Sequence, residues 1–194
     1  MRVLVIGMQR GFDLVLGLLG CAIALPIGIV IAIVILVFDK APPIFVQKRV
    51  GRDKKIFELI KFRTMKLEAP SIATHLIHEN FITPIGAILR LSKLDELPQL
   101  WNVLRGEMSL VGPRPCLFDQ QELIAERAAR GVFDVRPGIT GLAQIQGIDM
   151  SDIELLVKTE SEMLQRLDIF HYFSYVFFTL LGKGTGDRVR EKSS

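Results

Sequence analysis

The chain has 194 residues, 49% of them hydrophobic and 23% charged, with a formal net charge of +3. That length suits one domain with a real core and argues against two. Mean hydropathy is +0.36, and a uniformly apolar soluble protein would be an odd way to combine that value with so many charges. The apolar residues are instead concentrated in one block near the N-terminus. Cys21 lies inside that block and Cys116 far outside it, a poor disulfide pair and too few thiols for a zinc spacing, which fits a reducing compartment.

From Leu14 to Phe38 runs a stretch of 25 residues without a charge. As a straight helix it would reach roughly 37 Å at 1.5 Å per residue, enough to cross the hydrocarbon. It is too long for a signal peptide, and Pro42-Pro43 follows in place of a small-residue cleavage site. Pro26 near its middle removes one internal hydrogen bond and predicts a kink. Each half, about 12 residues or roughly 18 Å, is too short to span alone. Two topologies follow: a kinked spanning helix, or a helix-break-helix that returns to the side it entered. Arg2 and Arg10 precede the run, and Lys40, Lys48, Arg49, Arg52, Lys54 and Lys55 follow it. Basic residues beside a membrane segment favour the cytoplasmic face and anionic headgroups, and positive charge on both flanks favours the return. The cluster is assigned to lipid, not to nucleic acid, because the apolar block adjoins it.

Residues 44–66 alternate and predict short strands or a hairpin around Val50-Gly51-Arg52. Residues 67–82 are loop-like. Helices are predicted over 84–93 and over 96–105, the latter from Leu97, Leu100, Trp101 and Leu104 at i, i+3, i+4 and i+7. A turn-rich segment at 109–115 precedes a helix over 118–130. Arg136 to Gly147 is Gly-rich and expected to be irregular. A polar helix over 151–167 leads into Ile169–Leu181, an aromatic-rich stretch too short to span and suited to a core or interfacial helix, where His171 is also placed. The tail from Gly182 is expected to be loose.

Ser92-Lys93-Leu94-Asp95-Glu96-Leu97-Pro98 is the central chemical feature. Pro is tolerated in the first turn of a helix, so Pro98 puts Asp95 and Glu96 at a helix N-terminus, where carboxylates are stabilised as anions. Read alone, the pair is a cap and a first-turn acid. Neighbouring motifs change that reading. Gly112-Pro113-Arg114-Pro115 holds an Arg between two prolines, suited to a phosphate or carboxylate. Arg136-Pro137-Gly138-Ile139-Thr140-Gly141 joins another Arg to backbone that an anion can approach closely. Lys61 and Arg63 add two cations on one side of a strand. Two acids with several positioned cations suit an anionic substrate held with a metal ion. His75, His78 and Glu79 fall in a loop-like region and are not favoured as metal ligands.

Together these segments resemble the bacterial sugar transferase family, the small monotopic phosphoglycosyl transferases. The resemblance rests on the proline-broken apolar segment, on QKRVGRDKKIFELIKFRTM (47–65), on TPIGAILRLSKLDELPQLWNVLRGEMSLVGPRP (83–115) and on RPGITGLAQIQG (136–147). It covers most of residues 10–150. It implies transfer of a phosphosugar from a UDP-sugar to undecaprenyl phosphate with release of UMP, at the cytoplasmic face of the bacterial inner membrane. It implies Asp95 as a covalent nucleophile, Glu96 as a Mg²⁺ ligand, and a re-entrant hairpin broken at Leu25-Pro26. Lys61, Arg63, Arg90, Arg114, Arg136, Thr140 and Gln144 are the candidate substrate-binding residues on the matched stretches. The implied fold is a mostly helical α+β single domain with a short β-hairpin: a re-entrant helix over 12–38, a catalytic region over 39–181 and a loose tail over 182–194. The resemblance further implies the small form, without additional spanning helices. The stretch LDIFHYFSYVFFTLLGKG departs from the Tyr-rich pattern of relatives, and of that region only Asp168 is carried over. A covalent intermediate divides such a transfer into two displacements, and a cation beside Arg neutralises the phosphoryl charge that would otherwise repel a carboxylate. The alternative is a membrane-anchored binding module whose acid pair is only a cap, which leaves the rigid Arg turns without a purpose.

Overall fold

The computed structural model describes residues 2–70 and 79–184. Helix α1 runs from Arg2 to Val34 and continues through a π-helical turn, Ile35–Asp39. Lys40, in the left-handed conformation at φ 51°, ends it ahead of the two prolines. The helix is continuous through Pro26. Asp13, Gly17, Gly20, Ala24, Gly28, Ile31 and Ile35 recur at intervals of three and four and are all buried or half-buried, the periodicity of one helix face. Glycines in this stripe let neighbours approach closely: a Cβ on Gly17 would lie 3.2 Å from Leu104 and one on Gly28 3.3 Å from Phe62. The remaining faces carry exposed Val15, Leu18, Ile23, Leu25, Val30 and Val37.

The hairpin is formed by β1, Ile44–Val50, and β2, Ile56–Phe62, paired antiparallel with Phe45 opposite Lys61. Helix α2, Pro84–Ser92, begins with Thr83 as N-cap, its hydroxyl accepting from the Gly86 amide at 2.9 Å, and Pro84 stands in its first turn. Lys93, at φ 57°, ends it and opens a 3₁₀ turn, Leu94–Glu96. Helix α3 is shorter than the sequence predicts, Gln99–Arg105, with Pro98 at its N-cap and Gly106 ending it at φ +79°. Asp95 and Glu96 therefore precede the α-helix in a tighter turn of their own, because left-handed Lys93 and Pro98 bracket them.

Two segments read as turn-rich and irregular carry regular structure. Strand β3, Ser109–Val111, pairs in parallel with β4, Gly138–Thr140, Ser109 facing Gly138 and Val111 facing Thr140. Short α5, Leu142–Gln146, follows β4. A Cβ on Gly138 would lie 2.0 Å from the Gly112 nitrogen, so only glycine permits this approach. Helices α4, Gln121–Ala129, α6, Ile153–Arg166, and α7, Ile169–Leu180, match their predicted positions closely. The described chain is thus mostly helical, with a two-stranded hairpin, a short parallel pair and an N-terminal apolar helix.

Three apolar clusters hold it together. Val103, Met108, Leu110, Met163, Tyr172 and Tyr175 join α3, β3, α6 and α7. Val50, Cys116, Leu123, Phe133 and Leu156 form the second. In the third, Ile31 and Ile35 of α1 meet Phe62 and Leu89, with Leu94 and Leu97 packed against them. The expected tail lies mostly outside the described residues, as do His75 and His78.

Candidate active site

Leu94 and Leu97 flank the acid pair in sequence, and both are wedged into the cluster formed by the far end of α1, β2 and α2. That wedge seats the 3₁₀ turn and buries the acids between its anchors, Asp95 at 2% and Glu96 at 7% exposure. Glu96 Oε1 lies 3.2 Å from Arg114 Nη2. Burial strengthens such a charge-assisted contact relative to a surface pair. Arg114 reaches Glu96 from a braced segment: the Gly112 amide donates to Thr140 O at 2.8 Å, the Gly138 amide to Pro113 O at 2.8 Å and the Val50 amide to Cys116 O at 2.9 Å. Pro113 and Pro115 fix φ on either side.

The other predicted residues fall into three groups. Lys61 and Arg63 share one side of β2 and its exit, as their spacing predicts, and both stand over the Phe45 ring, at 5.8 and 5.5 Å. Arg63 Nε also donates to Pro42 O at 2.8 Å. Arg90 is buried in α2, its Nε donating to Thr64 Oγ1 at 2.8 Å. This contact depends on Gly86, where a Cβ would lie 2.0 Å from Thr64 O and drive α2 off the strand exit. The turn carrying the acids packs against both β2, which holds Lys61, and α2, which holds Arg90.

Thr140 and Gln144 are buried and turned inward. The Thr140 and Thr179 hydroxyls share a hydrogen bond, and Gln144 Nε2 donates to Gly112 O at 3.2 Å. Gln144 thereby braces the segment that carries Arg114. Arg136 lies elsewhere. Its Nε donates to Gly106 O at 2.7 Å, at the C-terminal end of α3, while Glu96 precedes the other end; the seven residues of α3 between them correspond to roughly 10 Å. Burial, and then the neighbouring Arg52 and Arg10, hold the Arg136 guanidinium below its ordinary proton affinity, against the opposing pull of Asp13. Arg10 caps the same end of α3, donating to Val103 O at 2.6 Å and Leu104 O at 2.9 Å. Asp168 is the N-cap of α7, accepting from the His171 amide at 2.8 Å.

Among the buried polar residues that sequence reasoning missed are Asn102 and Asp13. Asn102, fully buried in α3, accepts from the Ile60 amide at 3.1 Å and donates to Glu58 O at 2.7 Å, tying α3 to β2. Asp13 is 1% exposed, and its Oδ1 accepts from Ser109 Oγ at 2.9 Å, the Leu110 amide at 2.9 Å and Tyr172 Oη at 2.8 Å. Burial, with the Asp13 carboxylate beside it, pushes the Tyr172 phenol well above its ordinary value, so it remains a donor. The one available signal was a lone acid next to the uncharged run, in phase with Gly17 and Gly20.

Adjacent carboxylates of Asp95 and Glu96 supply hard oxygen donors, and no cluster of three or more His, Cys, Asp or Glu occurs among the described residues. This donor set fits Mg²⁺, which takes one or two carboxylates and leaves its other positions to phosphate oxygens and water.

The profile of the bacterial sugar transferase family matches residues 5–183, and the chain belongs to that family. It is 36% identical over 197 residues to the UDP-galactose-lipid carrier transferase of Erwinia amylovora, covering 89% of this chain and 39% of that protein. It is 40% identical over 146 residues to the UDP-glucose:undecaprenyl-phosphate glucose-1-phosphate transferase of Caulobacter vibrioides, covering 72% of this chain and 54% of that protein. With the exopolysaccharide production protein ExoY of Rhizobium meliloti it shares 31% identity over 189 residues, covering 89% of this chain and 83% of the relative. The chain spans about two fifths of the length of the Erwinia relative.

Proposed function

We propose that this chain transfers a sugar phosphate from a UDP-sugar to undecaprenyl phosphate, releasing UMP, as a membrane step of glycoconjugate synthesis. The observation that carries this reading is the buried Asp95-Glu96 pair with Arg114 braced against it, in a chain of the bacterial sugar transferase family. The named activities of the Erwinia and Caulobacter relatives support the substrate classes.

The reaction proceeds by two displacements. A carboxylate oxygen of Asp95 attacks the phosphorus bonded to the sugar, and the bond from that phosphorus to the bridging oxygen breaks. UMP departs with that oxygen and its electron pair, leaving the sugar phosphate on Asp95 as an acyl phosphate. An oxygen of undecaprenyl phosphate then attacks the same phosphorus, the acyl phosphate bond breaks, and the carboxylate is restored. Arg114 donates to phosphate oxygens during both steps, and its brace keeps it in position without reorganisation. Lys61, Arg63 and Arg90 add positive potential on the hairpin side of the turn. Arg136 holds the far end of α3. Glu96, with Asp95 beside it, would hold Mg²⁺, which when bound supplies charge neutralisation at the phosphates.

The same reading places α1 in the cytoplasmic leaflet without crossing, both ends on one side. Its protected stripe runs in phase from Asp13 to Ile35, against α3 and β3 near one end and β2 and α2 near the other. A spanning α1 would draw those elements and their polar groups into hydrocarbon. A helix with one face on the catalytic region and the rest in lipid puts Asp95 at the level of a lipid phosphate. The catalytic region over 39–181 and the membrane helix then act as one unit.

Incubation with a panel of UDP-sugars and a short polyprenyl phosphate, following UMP, tests the reading. Release of UMP with formation of the lipid diphosphate sugar supports it. A protein that folds but releases no UMP from any donor contradicts it.

A further inference from the structure

Asp13, the single acid in the sequence of α1, sits one residue before the uncharged run begins, yet it is almost wholly buried. Taking a carboxylate out of water is costly unless donors replace the water. Here three donors converge on one oxygen, two of them, Ser109 Oγ and the Leu110 amide, from the first residues of β3. The third, Tyr172 Oη, comes from α7. Among the described residues a second polar link joins α1 to β3, the Gln9 side chain donating to Val111 O at a longer 3.3 Å.

Strand β3 leads directly to Arg114. Leu110 and Arg114 are four residues apart, and the intervening chain is tied to β4 at Gly112 and Pro113 and stiffened by Pro113 and Pro115. A displacement of Ser109 and Leu110 is therefore passed along to Arg114, since Gly112 between them is pinned by its amide to Thr140 O and Pro113 by its carbonyl to the Gly138 amide. At the other end of α1, Ile31 and Ile35 pack with Leu94 and Leu97, which seat Glu96. One helix thus supports both partners of the Arg114–Glu96 pair, the arginine through Asp13 and the glutamate through Ile31 and Ile35.

We propose that Asp13 is a positioning residue for the carboxylate site, locking the membrane helix onto the strand that delivers Arg114 to Glu96. The proposal rests on the function assigned above only in that Arg114 must matter for the reaction; the mechanical coupling stands apart from it. Because all three bonds end on Oδ1, an amide oxygen replaces it well, whereas a methyl group does not.

Cys116 supplies a reporter independent of activity. It is fully buried two residues beyond Arg114, and in a Cys21→Ala background it is the sole thiol. The labelling rate of Cys116 by a soluble thiol reagent is measured under native conditions, with UMP release and melting temperature, for Asp13→Ala, Asp13→Asn and the Cys21→Ala parent. Asp13→Ala is expected to label about tenfold faster and release UMP about tenfold more slowly, the scale of one lost charge-assisted hydrogen bond. Asp13→Asn is expected to stay within about threefold of the parent on both, since the acceptor is kept. In an Arg114→Lys background, Asp13→Ala is expected to cost little further rate, because the two residues act in series. Should Asp13→Ala fail to accumulate, Ser109→Ala removes one strand bond and is expected to raise Cys116 labelling more than Tyr172→Phe does. Unchanged Cys116 labelling in Asp13→Ala, equal losses in Asp13→Asn and Asp13→Ala, or multiplying losses in the Arg114→Lys background would overturn the proposal. A parent that releases no UMP while labelling follows the expected order sinks the assigned function and leaves the coupling standing.

Discussion

Arg114 Nη2 and Glu96 Oε1 lie 3.2 Å apart, joining two motifs separated by eighteen residues, with Glu96 the more buried partner. The pair joins the acid turn to the proline-braced turn, and the cation is accessible enough to meet a ligand. Arg114→Lys keeps the charge and loses the planar fork. UMP release should fall about tenfold or more, on the scale of roughly 1.5–3 kcal/mol for a hydrogen bond to a charged group. Steady-state assay of the Lys variant checks this, and a Lys variant as fast as wild type would reduce Arg114 to diffuse charge.

Glu96 is proposed to hold Mg²⁺, so chelation and mutation should converge. EDTA should abolish UMP release by the wild-type protein, and added Mg²⁺ should restore it. Glu96→Gln should lose most activity and need more Mg²⁺ for what remains, since one anionic ligand is gone. Full activity of Glu96→Gln in EDTA would end the assignment.

Away from the site, Arg127 and Glu160 form a bidentate pair, Nε to Oε2 at 2.9 Å and Nη2 to Oε1 at 2.5 Å, with both side chains almost wholly buried. Burial pushes the Glu160 carboxyl up, and Arg127 opposes it. Arg127→Met leaves only the burial, and stability should drop by about 3–5 kcal/mol. Arg127→Met combined with Glu160→Leu should recover much of that loss, because two apolar groups replace the pair. Melting curves of the three variants decide it; a single variant as stable as the parent would contradict the account.

Much of this fold was legible. The hairpin showed as period-two alternation, and α2 and α6 showed as helical stretches of ordinary length. The parallel pair β3–β4 was not, because each strand has three residues, too few for any periodicity to register. Asp95 and Glu96 were placed at the start of an α-helix, a reading Pro98 invited; the left-handed backbone at Lys93 that gives them a 3₁₀ turn has no signature in a lysine. Motif spacing brought Glu96 and Arg114 under one heading and grouped Arg136 with them, but whether an arginine faces the acids or the far end of α3 depends on side-chain direction across β4. The partners of Asp13 were illegible for a similar reason. They lie 96 to 159 residues away.

If α1 stays in one leaflet, its N-terminal end faces the cytoplasm. Met8 is exposed at that end and provides a site for Met8→Cys in a Cys21→Ala background. A membrane-impermeant thiol reagent added to intact cells should leave this Cys unlabelled, and labelling should appear once the membrane is opened. Labelling from outside would mean that α1 crosses.

The central claim is that Asp95 carries the sugar phosphate between donor and acceptor, and its most direct test omits the acceptor. Purified protein is mixed with UDP-sugar and Mg²⁺, quenched, and weighed by intact-protein mass spectrometry. The account predicts a population heavier by one sugar phosphate in the wild-type protein and none in Asp95→Asn. An adduct of that mass on Asp95→Asn would contradict it.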